Sequence, residues 1–295
     1  MEFFLQLTIN GLVVGSIYAL VALGFVIIYK SSGILNFAQG EFLLLGAYVF
    51  WAMVENVHVP LPWALALTVV FSVLLGLAME RLVLRPMIGE PIISVIMVTL
   101  GLSSILRAIV FGIWGTDTRP FPSFFESEPI HFGPLPIARG YLFSVVAAGV
   151  LLAAFSLFFR YSRVGVAMRA TAFSQQVAQS MGISVRRIFA VSWSIAAAVS
   201  ALGGILLGTL RGGADGSLAV LGLKALPVVI LGGLDSVLGA VVGGLVIGVL
   251  ENLSGGYLDP VFGGGVKEVA PFAALVVILM VKPYGLFGKV RIERV

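Results

Sequence analysis

An all-α, polytopic integral membrane protein is the fold class that this sequence predicts, and three observations carry it. Of 295 residues, 59% are hydrophobic and only 11% charged, against about 25% charged in soluble domains. The mean hydropathy is +1.10. Uncharged runs such as Phe3–Tyr29, Asn56–Met79, Gly140–Phe159 and Ile188–Leu210 reach the roughly 20 residues that cross a hydrocarbon core as helix. Transmembrane strands would instead alternate over about ten residues.

The elements follow in order. The first apolar run follows Glu2 rather than a basic segment and lacks a small-residue cleavage pattern, so it reads as a permanent span and not a signal peptide. Spans are expected near 4–29, 41–57, 61–82, 92–114, 141–159, 188–210, 218–234, 236–254 and 268–281, about eight or nine in all. The second, seventh and ninth are short and fit tilted, broken or re-entrant segments. Pro60 and Pro62 open the third span, where a missing N–H does no harm, and Pro86 and Pro91 bracket the loop before the fourth. With the N-terminus outside, Lys30, Arg81, Arg85, five arginines at 160–187, Lys282, Lys289, Arg291 and Arg294 share one side. Arg119, Arg139, Arg211, Lys224 and Lys267 take the other. The positive-inside rule then predicts N-out, C-in. The whole chain, 1–295, reads as a single transmembrane domain, with a cytoplasmic loop at 160–187 and an outward loop at 115–140.

Thirty-six glycines include the small-residue pairs Gly11/Gly15, Gly239/Gly243 and Gly244/Gly248, a spacing that lets helix backbones approach closely in lipid. Packing within one subunit is the main reading of these pairs, and a subunit interface the other. Several chemistries are excluded. There is no G-x-x-x-x-G-K-[ST] phosphate loop, no cysteine, and no metal-ligand spacing around His58 and His131. The basic residues flank spans, so no nucleic-acid role is expected. Arg107 reads as snorkelling outward or pairing with a loop carboxylate such as Asp117, with attraction of a substrate carboxylate as the alternative. Glu41 and Glu251 fall near span ends, so mid-membrane carboxylates of the kind ion-coupled carriers use are not evident.

The stretch GLVVGSIYALVALGFVIIYKSSGILNFAQGEFLLLGAY (11–48) resembles the opening of the branched-chain amino acid permease family of ABC importers. The resemblance continues through GVAMRATAFSQQVAQSMGI (165–183) and LGGLDSVLGAVVGGLVIGVLE (231–251) to KPYGLFG (282–288). It implies a multi-pass permease subunit in a bacterial inner membrane, paired with a second, related permease as a heterodimer. Two cytoplasmic ATPase subunits, carrying ATP and magnesium, and a periplasmic substrate-binding protein would complete the importer. This chain itself is expected to be no enzyme and to bind no cofactor or metal. The implied substrates are branched-chain or similar neutral amino acids, with urea, short amides, other small solutes or sugars as alternatives. An ion-coupled secondary carrier is the reading from a different class.

Two segments are singled out. Asn36, Gln39 and Glu41 lie in the turn between spans one and two, where their side chains either cap helix ends or line an inner gate. At 160–187, Gln176-Val177-Ala178-Gln179-Ser180-Met181-Gly182 has the spacing of the superfamily's E-A-A-x-x-x-G coupling-helix signature, with Gln for Glu and Val for the first Ala. Ser174 is placed to N-cap a short helix and Gly182 to end it. Phe173, Val177 and Met181 form an i, i+4, i+8 apolar stripe. Together with Arg169 this segment is the candidate ATPase-coupling element. Lying on the membrane surface, with its arginines at anionic headgroups, is the competing reading.

Overall fold

A computed structural model describes residues 1–122, 130–132 and 135–288 of the chain. Among the described residues it is all-α, with four very short strands. Thirteen α-helices occur among the described residues: α1 (Glu2–Ser32), α2 (Gln39–Trp51), α3 (Leu61–Met79), α4 (Ile92–Trp114), α5 (Arg139–Tyr161), α6 (Arg163–Phe173) and α7 (Gln175–Ser180) in the first part. The rest are α8 (Val185–Arg211), α9 (Ser217–Leu223), α10 (Ala225–Gly232), α11 (Val237–Tyr257), α12 (Asp259–Phe262) and α13 (Val266–Val281). Short π-helical turns extend α2 and α3 through Ala52–Asn56 and Glu80–Leu84. Among the described residues, six helices are long and apolar enough to cross a membrane. Lys289, Arg291, Arg294 and the side chain of His131, all used in the sequence reading, lie outside what is described.

The expected spans meet helices in the expected order, with two differences. The run at 218–234 is broken at Lys224, its one charged residue, into α9 and α10. The insert at 160–187 holds two helices, α6 and α7, rather than one. Ser162 starts α6, its Oγ accepting from the Gly165 N–H at 2.9 Å. In the 115–140 connection, Ile130–Phe132 pairs with Leu135–Ile137 as a hairpin.

The chain packs as two compact units, with α1 and α5 contributing to both. In the unit formed by residues 27–124 and 153–223, α2 lies inside: every residue from Gln39 to Phe50 is buried. Beyond Gln39 and Glu41 in its first turn, its sequence is apolar on all sides, and such a helix needs protein on all sides. It packs chiefly on α8, and α8 on α3. Gly46 meets the Ala201 backbone and Gly204 the Leu43 backbone, leaving no room for a Cβ at either glycine. Trp193 is fully buried, edge-on to Phe42 at 6.0 Å.

The other unit comprises residues 1–26, 125–152 and 224–295 as far as they are described, and is built around α11. A Cβ on Gly15 would lie 2.6 Å from the Gly244 carbonyl, and one on Gly11 would lie 2.6 Å from Val249 Cα. Gly248 is equally tight against Gly11 and Gly15. On its α10 side, Gly243 meets the Val228 carbonyl and Gly239 meets Gly232. All six glycines singled out in the sequence thus make close backbone approaches within this one chain. The terminal Lys282–Gly288 motif closes α10: Leu286 N–H donates to Leu231 O at 2.8 Å and Phe287 N–H to Gly232 O at 3.0 Å. Carbonyls that a helix end leaves unpaired are satisfied there by the chain's own tail.

Candidate functional site

The turn between α1 and α2 is non-helical yet inside the protein. Asn36, Ala38 and Gln39 have no exposed surface. Backbone of this kind persists at depth only where its polar groups find protein partners. Asn36 Oδ1 accepts from the Ala38 N–H at 3.0 Å, and its Nδ2 donates to Gln39 Oε1 at 3.2 Å. Gln39 Nε2 donates across to Ser200 Oγ on α8 at 2.6 Å. Asn36 therefore holds the turn, whereas Gln39 ties α2 to α8. The residue preceding α2, Ala38, has no side-chain cap.

Glu41 caps no helix end either. Its Oε1 accepts from Arg107 Nε at 3.0 Å, from Arg107 Nη2 at 2.5 Å and from Ser103 Oγ at 3.2 Å. Arg107 thus turns inward to α2, correcting the expectation that it snorkels outward or pairs with Asp117. Three donors converge on one carboxylate oxygen, and the second, Oε2, is buried without a hydrogen-bond partner among the described residues. The Glu41 side chain is 2% exposed, the Arg107 side chain 38%.

A second buried charge cluster escaped the sequence reading. Lys224, at the break between α9 and α10, is 3% exposed and donates to Glu251 Oε1 on α11 at 2.9 Å. It also lies 2.6 Å from Glu268 on α13. Lys224 is therefore no loop cation to be counted for orientation, and Glu251 no end-of-helix group. Glu251 Oε2 has no hydrogen-bond partner among the described residues. The available signal was a lone lysine inside an otherwise apolar run, where a charge needs a partner. The carboxylates Glu41 and Glu251 are thus within the helical body, each held by a base.

In the 160–187 insert, Ser174 Oγ accepts from the Val177 N–H at 3.3 Å. Gly182 stands at φ 81°, and the N–H groups of Gly182 and Ile183 return to the carbonyls of Gln179 and Ala178, both at 2.9 Å. This is a Schellman ending. Phe173 belongs to α6, with extended backbone at Ser174 between it and α7, so the apolar stripe does not run along one helix. Its three members are still exposed: Phe173 by 91%, Val177 by 59% and Met181 by 78%. Gln176 is exposed as well, whereas Ala178 is buried. Arg169 faces its own chain, donating to the carbonyls of Phe159 and Arg160 at the end of α5. Among the described residues no group of three or more His, Cys, Asp or Glu side chains is arranged to hold a metal.

Similarity to known proteins fits these features. The chain is 32% identical to the high-affinity branched-chain amino acid transport system permease protein LivH of Escherichia coli K12, covering 99% of this chain and 98% of that one. It is 31% identical to the corresponding BraD of Pseudomonas aeruginosa over the same shares. Among solved structures, PsaBC from Streptococcus pneumoniae in complex with Fab shares the fold, with a TM-score of 0.52 at 14% identity, covering 96% of this chain and 93% of that chain. Residues 7–281 match the family described as branched-chain amino acid transport system / permease component. A chain so matched, with buried apolar helices and internally paired charges, is a membrane permease, and it belongs to that family.

Proposed function

We propose that this chain is the transmembrane subunit of an ATP-driven importer for branched-chain or similar neutral amino acids. The observation that carries the reading is similarity over nearly the full length to permeases named for that transport. In this reading the chain pairs with a second, related permease to form the path. A substrate-binding protein delivers solute from outside, and two ATPase subunits, which hold ATP and magnesium, drive alternating access. The permease itself holds no cofactor and catalyses no reaction.

The α6–α7 segment is the contact to the ATPase. Val177 projects from a six-residue helix that is marginal by itself and Met181 caps its end, and exposed apolar groups of this size mark an interaction surface. Arg169 acts from behind, tying the segment to the end of α5. Asn36 and Gln39 serve the buried turn. The glycines at 11, 15, 239, 243, 244 and 248 serve packing within the subunit.

Uptake of labelled L-leucine into vesicles carrying the assembled system tests the function. Dependence on ATP with resistance to an uncoupler is the expected result. Uptake that an uncoupler abolishes and ATP does not support would identify an ion-coupled carrier instead. Ion-paired Glu41 and Glu251 weigh against that alternative, because each is already neutralised by a base.

A further inference from the structure

A cavity of about 120 Å³ opens beside the α6–α7 segment, within the unit formed by residues 27–124 and 153–223. Its inner wall is apolar: Leu84, Val95 and Phe189 are buried and Ile34 half-buried. Its mouth is mixed. Ile92, the first residue of α4, stands there with Glu90 and Gln175, and all three are exposed. Among the described residues the side chains of Glu90 and Gln175 have neither a hydrogen-bond nor an ion-pair partner. The site therefore combines an apolar interior with an acid and an amide that are both unengaged at its rim, the pattern by which a small amphiphilic ligand is held and oriented.

We propose that this cavity is a regulatory site for the imported amino acid. The branched side chain enters between Leu84, Val95 and Phe189, the ammonium meets the Glu90 carboxylate, and the carboxylate accepts from the Gln175 amide. The proposal rests on the amino-acid reading above and on α6–α7 as the contact to the ATPase. Size and charge select the occupant. An engineered apolar cavity of about 150 Å³ takes benzene, so this smaller one admits an isobutyl or sec-butyl group and leaves the polar head at the mouth. An unpaired carboxylate at the rim attracts a cationic head and repels the phosphate of a lipid, whose acyl chain the walls would otherwise suit. Gln175 opens α7 and Phe189 lies on α8, so an occupant bridges the contact segment and a long helix of the body. Filling the cavity favours one position of α7, whereas coupled turnover needs α7 to follow the ATPase. Accumulated amino acid thereby slows its own import.

Binding is read with L-photo-leucine, the diazirine analogue of leucine, on the assembled importer without its substrate-binding protein. Illumination followed by peptide mass spectrometry should place adducts within 84–95 and at Gln175 or Phe189, and excess L-leucine should remove them. 4-Methylpentanoate, which lacks the ammonium, should compete several-fold less well. Glu90→Gln should weaken competition by L-leucine about threefold, the scale of an exposed ion pair. Regulation is read in proteoliposomes with ATP enclosed on the side of the ATPase subunits. L-Leucine enclosed with the ATP should slow the initial uptake of labelled L-leucine several-fold. Ile92→Trp, a substitution at an exposed position that fills the mouth, should abolish the slowing and leave the rate without enclosed L-leucine unchanged. Adducts only outside the cavity, or competition by 4-methylpentanoate equal to that of L-leucine, would overturn the proposal, and neither result needs a variant to fold. Absence of slowing in the unmodified importer, or equal slowing in Ile92→Trp, would overturn it as well. Failure of L-leucine uptake by the unmodified importer under all conditions would instead remove the amino-acid reading itself.

Discussion

Lys224 is buried with Glu251 against it and Glu268 within 2.6 Å, so what matters at the residue scale is what remains when one partner goes. Removing one member of a buried pair leaves an uncompensated charge, worth about 3–5 kcal/mol, whereas replacing both by apolar groups is often neutral. Lys224→Met is therefore expected to lower the thermal stability of the purified permease strongly, and Lys224→Met with Glu251→Met to recover most of it. Equal melting temperatures for the two variants would show that the pair is not the source. The Glu41–Arg107 contact differs because Arg107 is partly exposed, so its contribution to stability is smaller. Glu41→Gln keeps the size of the side chain and one acceptor oxygen. The expected outcome is an assembled protein with impaired uptake, read by complex yield beside transport rate; failed assembly would assign Glu41 a purely structural role. Asn36 and Gln39 were legible as polar residues needing partners, but the partner of Gln39 on α8 is 161 positions away and no local pattern names it.

Helices differ in how much of their character is local. The ends of α7 are spelled out by Ser174 and Gly182, whose hydroxyl and left-handed backbone supply what a helix terminus lacks. Ser174→Ala should cost the segment about 1 kcal/mol, read as faster amide exchange over 175–181 with little change elsewhere. Val177→Asp tests the contact role of the same element: the permease should fold and assemble, while ATP hydrolysis loses its coupling to uptake. Coupled turnover at the unmodified rate would return the segment to the membrane surface. The break at Ser174 was not legible from the stripe, because Phe173, Val177 and Met181 keep helical spacing across a residue whose backbone is extended. On the α1–α11 contact, Gly244→Val would place a side chain against the Gly15 carbonyl, only 2.6 Å from its Cβ. No rotamer relieves a clash with backbone, so expression of folded permease should fall sharply, while Gly101→Val on an open face should be tolerated for folding.

For the whole molecule, composition and run length already decide that the chain is a bundle of membrane helices, because hydrocarbon accepts backbone only when its hydrogen bonds close internally. The order of the spans, the turn motif at 33–41 and the two-ended α7 are likewise written in local sequence, and the quoted motifs point to the permease family. Three things were decided only by tertiary structure. The interior placement of α2 depends on the apolar faces of α3, α4 and α8 arriving around it. The break at Lys224 depends on acids from α11 and α13 meeting the lysine there. The inward turn of Arg107 depends on Glu41 standing opposite it on α2. Periodicity and charge counts register what each residue requires, a partner or an apolar surrounding. Which distant residue meets the requirement is a matter of three-dimensional packing, and in this protein the charges that a sequence assigns to loops and span ends are the ones that packing drew inside.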